Sequence, residues 1–143
     1  MSRIPYSKLQ GPGESGAMPF VPVRLYYASD GRHLTEPVLV PALVDSGAAV
    51  NVIPRDVGEQ FGLDWDEQKK MLKSAGLVRG APTLGLFLWV KLPEIEPLEL
   101  LFAWSKLSTG DMRVILGQID FFDECFVDFR KPRGYFEIVL KDE

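Results

Sequence analysis

Apolar and polar positions along this chain change over in short runs, and most of those runs alternate with a period of two. Residues 20–27 (Phe-Val-Pro-Val-Arg-Leu-Tyr-Tyr) alternate and end at Ser29-Asp30-Gly31-Arg32, whose Asp-Gly step marks a tight turn. The second arm of that hairpin, residues 34–44, climbs through Val38, Leu39, Val40, Leu43 and Val44. It stops at Asp45-Ser46-Gly47 and resumes at Val50-Asn51-Val52-Ile53. This pattern predicts strand, tight loop, strand. Pro22, Pro37 and Pro41 must then lie at an edge, a bend or a strand start, because proline has no N–H to give to a ladder.

The rest of the chain repeats the theme with short helical interruptions. Pro54 opens and Gly62 closes a helix of two turns with Val57 and Phe61 on one face, and Gly58 inside it costs about 1 kcal/mol relative to Ala. Asp64-Trp65-Asp66-Glu67 reads as a solvated acidic loop. A hairpin follows: a strand at Met71-Leu72, a tip over Ala75, Gly76, Leu77, Val78, Arg79 and Gly80, and a return strand over 84–92. Residues 98–104 form a strand, 108–111 a turn, and 113–116 a strand that enters Gly117. Residues 118–124 suit a short helix, and 125–129 pair with 135–140 around Lys131-Pro132-Arg133-Gly134. Many short strands with one or two short helices predict an all-β domain over residues 19–143. Residues 1–18, with Gly11-Pro12-Gly13-Glu14-Ser15-Gly16 among them, are expected to be a flexible arm. The alternative is an arm that docks on a partner subunit or is removed by self-processing.

Composition narrows the classes. A chain of 143 residues fits one domain and can bury roughly two-thirds of its unfolded surface. A hydrophobic content of 46% with a mean hydropathy of +0.02 describes a soluble globular protein. The net charge is −4 and Lys and Arg are scattered, so no nucleic-acid partner is predicted. No run is long enough to span a membrane, and the lone Cys125 excludes an intrachain disulfide; a cytoplasmic home is expected. No metal or cofactor is predicted. Asp64, Asp66 and Glu67 lack the alternating ligand spacing of a calcium loop, and the single His33 reads as a solvated turn residue.

Taken alone, Asp45-Ser46-Gly47 is equally a capping or turn sequence, since turns favour those residue types. Two features shift the balance. The run Asp45-Ser46-Gly47-Ala48 after an apolar strand resembles the active-site loop of aspartic proteases, Asp-Thr/Ser-Gly-Ala/Ser. Downstream, Val114-Ile115-Leu116-Gly117 resembles the apolar-apolar-Gly segment beneath that loop in the retropepsin-like branch. The resemblance runs from about Phe20 to Ile138 and implies a closed β-barrel of the acid-protease fold, with a flap hairpin over the site. It further implies that Asp45 is the catalytic carboxylate and that Ser46, in place of the usual Thr, bonds backbone across a dimer axis. Gly47 would let the loop turn tightly, Ala48 and Ala49 would line the floor, and Ile115, Leu116 and Gly117 would support it. Residues 75–80 would be the flap.

The chemistry needs two carboxylates sharing one proton: the ionised one takes a proton from water while the neutral one donates to the peptide carbonyl. One copy of the motif occurs in this sequence. The resemblance therefore implies a homodimer with Asp45 of each subunit at the two-fold axis, acting on a peptide or protein substrate. The alternative is a peptide-binding or dimerisation module on the same fold, without hydrolysis.

Overall fold

The computed structural model describes residues 1–8, 16–70, 72–110 and 112–142. Among the described residues ten strands alternate with three short α-helices and one 3-10 turn at Lys131–Arg133: β1 Ser2–Pro5, β2 Phe20–Tyr26, β3 Val38–Val44, β4 Asn51–Ile53, α1 Arg55–Glu59, α2 Trp65–Gln68, β5 Ser74–Val78, β6 Ala81–Lys91, β7 Leu98–Ser105, β8 Val114–Leu116, α3 Phe121–Glu124, β9 Cys125–Arg130 and β10 Tyr135–Leu140. The all-β expectation holds. Six strands close into a barrel in the order β2-β3-β8-β4-β7-β6, and the pairing of β6 back to β2 seals it. β5 hangs from β6 as the outer arm of a hairpin, and β1-β10-β9 form a separate antiparallel sheet.

Period-two alternation decides which side chains face inward. On β6, Leu84, Leu86, Leu88 and Val90 are buried while Phe87 between them is exposed. With Leu25, Leu100, Phe102 and Trp104 they fill the barrel. Pro22 and Pro41 sit directly opposite each other in the β2–β3 ladder. β3 begins pairing with β8 only at Ala42, and β2 with β6 only at Arg24. Each proline thus falls where its strand has one neighbour, so no second ladder loses a bond.

Three expectations change. The arm over residues 1–18 is not wholly flexible: Ser2–Pro5 is β1, in register with Tyr135 to Ile138 of β10, and Ile4 is buried in the same core as the barrel. The domain therefore begins before residue 19. Ser7 and Met18 bridge each other, and residues 9–15 lie outside the described set. The acidic stretch at 64–67 is a helical turn: the Asp64 carboxylate accepts from the N–H groups of Asp66 and Glu67, and Trp65 is buried with its Nε1 donating to the Trp104 carbonyl at 3.1 Å. Leu72 is not in a strand, and Met71 and Asp111 lie outside the described residues.

Gly58 has a packing reason that its helical cost concealed. A Cβ there would run into the indole of Trp104, whose Nε1 donates to the Arg55 carbonyl at 3.1 Å. Helix α1 can lie this close to β7 only without a side chain at that position. Among the described residues no helix is long and apolar enough to cross a membrane.

Candidate active-site loop

β3 delivers the chain to Asp45 and β4 takes it away at Asn51, and β8 is threaded between them, parallel to β3 and antiparallel to β4. The loop is therefore held from below by a third strand. Val44 is in register with Leu116, and the Asp45 N–H donates to the Leu116 carbonyl at 3.0 Å. The Asp45 carboxylate turns back over its own loop and accepts from the Gly47 N–H at 2.9 Å. The Ala48 N–H donates to the Asp45 carbonyl at 3.1 Å, closing a tight turn. Asp45 is half-buried, and Ser46 and Gly47 are exposed.

Of the residues expected to form the site, the chain brings Asp45, Ser46, Gly47 and Ala48 together with Ile115, Leu116 and Gly117. Gly117 lies so close under the loop that a Cβ on it would stand 2.5 Å from the Val50 carbonyl oxygen and 2.8 Å from that of Ala48. Ile115 and Leu116 divide their contacts: Leu116 belongs to the main core, and Ile115 to a small second cluster with Val52, Ala103 and Met112. Ala48 and Val50 pack on that second cluster, while Ala49 is exposed.

The segment expected as the flap is the end of the β5–β6 hairpin. Ala75, Gly76, Leu77 and Val78 belong to β5, and the tip itself is Arg79-Gly80, both with positive φ (52° and 75°). Gly76, also at positive φ (90°), serves a register shift between Ser74 and Leu77 rather than the tip. Leu77 is exposed, but Val78 reaches the second apolar cluster, the same one that holds Ala48, Val50 and Ile115. Hairpin and loop thus share one patch of apolar side chains.

Two residues that carry the loop escaped the sequence reading. Asn51 is fully buried; its Nδ2 donates to the Leu101 carbonyl at 3.0 Å and its Oδ1 accepts from the Gly117 N–H at 2.8 Å. It ties three segments through one amide. Gln118 donates from Nε2 to the Ser46 carbonyl at 2.6 Å, and its own N–H donates to the Ala48 carbonyl. The legible signal was an Asn inside an apolar strand, since a buried amide must find partners. For Gln118 nothing in the sequence marked it.

His33 is far from this chemistry in character: its Nδ1 lies 2.5 Å from the Asp30 carboxylate on an exposed turn, and Asp30 also accepts from the N–H groups of Arg32 and His33. Those bonds, the His33 side chain first, hold the Asp30 pKa down at about 2. Among the described residues no group of three or more His, Cys, Asp or Glu side chains is placed to hold a metal ion. The chain matches no protein-family model and no curated protein.

Proposed function

We propose that the chain is one half of an aspartic endopeptidase of retropepsin type, with Asp45 of two subunits forming the catalytic pair. The observation that carries the reading is the shared apolar patch: Val78 of the hairpin packs on the cluster that also takes in Ala48 and Val50 of the Asp45 loop. A carboxylate on a clamped loop, with a hairpin packed on the same apolar cluster, suits cleavage of an extended chain. β5 is the last strand of its sheet, so it offers an unpaired edge to such a chain.

In the mechanism, one Asp45 is ionised and its counterpart is neutral, because like charges about 3 Å apart cannot both ionise. The ionised carboxylate accepts a proton from water as the oxygen attacks the peptide carbonyl. The neutral one donates its proton to the carbonyl oxygen. Collapse of the tetrahedral species returns a proton to the leaving amine and restores the pair. The Asp45 N–H bond to Leu116 and the Gly47 N–H bond to the carboxylate fix its position before substrate arrives.

The test is hydrolysis of a mixed peptide library between about pH 4 and 7, with and without a statine-type inhibitor, beside the Asp45→Asn protein. Inhibitable cutting that falls by roughly a thousandfold in the variant is expected. Cutting retained by Asp45→Asn, or none from a protein shown to be dimeric, would sink the proposal.

A further inference from the structure

A groove at the opposite end of β2 and β3 takes no part in the Asp45 chemistry. It has a volume of about 670 Å³, with apolar walls that include Pro22, Leu39 and Pro41 and polar groups from Arg24, Lys91 and Glu94. That is the size and character of a small-molecule site: mostly apolar, with a few polar groups to fix orientation. Leu39 lies six residues before Asp45 on β3, roughly 20 Å along an extended strand.

The charges in the groove are the unexplained feature. Arg24 and Lys91 are directly opposite each other in the β2–β6 register, so both project from the same face. Like charges at opposed positions destabilise an antiparallel pair. Among the described residues no carboxylate is paired with either. Arg24 makes no side-chain hydrogen bond or ion pair among the described residues, whereas Arg3, Arg55 and Arg130 each meet a carboxylate. The Lys91 ammonium donates to the backbone carbonyls of Leu92, at 2.9 Å, and Ile95, and to no carboxylate. Glu94 is exposed. With its one negative charge counted, the groove carries one net positive charge in a chain whose net charge is −4.

The wall beside Lys91 is also held under strain. The turn Leu92-Pro93-Glu94-Ile95 is closed by the Ile95 N–H to the Leu92 carbonyl at 3.3 Å, and Glu94 adopts φ 58°, where such turns favour glycine. Lys91 spans the turn by bonding the carbonyls at both of its ends. A side chain in this conformation persists because its surroundings hold it.

We propose that this groove binds a small amphipathic monoanion, an apolar body of medium-chain acyl size whose carboxylate sits between Arg24 and Lys91. An anion there turns a repelling pair into two charge-assisted contacts, and the apolar body covers Leu39 and the prolines. The site is separate from the Asp45 loop and does not depend on the protease reading.

The experiment is titration of the full chain with sodium octanoate and with 1-octanol, followed by calorimetry, for the parent protein, Arg24→Gln and Leu39→Ser. Octanoate should saturate a single site. Arg24→Gln should weaken octanoate roughly tenfold, the loss of one charge-assisted bond, and leave octanol unchanged. Leu39→Ser should weaken both ligands. Far-UV circular dichroism of each variant checks that it is folded; both substitutions are at exposed side chains. Absence of octanoate binding to the parent protein, or equal binding by Arg24→Gln, overturns the proposal.

Discussion

The Asp45 loop and the β5–β6 hairpin meet on one apolar patch, yet they are built in opposite ways. Beneath the loop, β8 pairs with a strand on either side, Asn51 bonds two further segments, and Gly117 is pressed against two carbonyls. The N–H groups of Asp45, Gly47, Ala48 and Gly117 there each have an acceptor. β5 has a single neighbour, four of its five residues are exposed, and its register slips at Gly76. Segments with few buried contacts and exposed backbone bonds open at low free-energy cost. The difference teaches where the chain spends its order: on the loop that carries Asp45, and not on the hairpin beside it.

Substitutions can break this contrast or sharpen it. The largest effect is expected at Gly117→Ala, where the new methyl meets backbone oxygens that no side-chain rotation can move; a loss of about 3 kcal/mol should appear as a lowered urea midpoint. Asn51→Ala comes next. It leaves the Gly117 N–H and the Leu101 carbonyl without their bonds in a buried setting, costing about 2 kcal/mol in the same assay. On the hairpin, Gly80→Ala should cost only about 1 kcal/mol, from positive φ alone, because no atom lies within 4 Å of the new Cβ. If Gly80→Ala proved as damaging as Gly117→Ala, the contrast between floor and hairpin would be wrong.

The smallest effect lies outside both regions. Asp30 has a folded pKa of about 2, below its unfolded value of 3.8. A carboxylate with a depressed pKa contributes stability that is present above the unfolded value and is lost as pH falls through the folded one. Here that window runs from about pH 4 down to about pH 2. His33→Ala removes the first cause and should raise the Asp30 midpoint, read by nuclear magnetic resonance titration of the carboxyl carbon. Asp30 is fully exposed, so the change in stability should be slight.

Where structure follows from neighbours in sequence, it was legible. The alternation through Val38 to Val44, the stop at Asp45-Ser46-Gly47 and the apolar restart gave strand, loop and strand, and Val114–Leu116 pairs with the strands on both sides of that loop. The hairpin's place was readable, though the glycines misplaced its tip: Gly76 serves a bulge, and the turn needs only Arg79-Gly80. What escaped depends on contacts distant in sequence. β1 is stabilised by β10, with Arg3 and Glu137 separated by 134 positions, so no local pattern announces it. The stretch at 64–67 looked like a solvated loop because the Trp104 carbonyl that anchors the indole of Trp65 is 39 residues away. Gly58 looked like a defect in a helix until the indole against it was visible.

The central place of β8 also orders events in time. A ribosome releases β3 and β4 long before it reaches Val114, yet the barrel's order puts β8 between them. Until that strand emerges, the two have no shared neighbour, and the Asp45 N–H lacks its acceptor on Leu116. Closing such a long-range pairing is slow, because the chain entropy must be surrendered before the contacts form. The facing edges of β3 and β4 therefore stay unpaired until Val114 is made, and the last barrel strand in chain order is the one that assembles the loop.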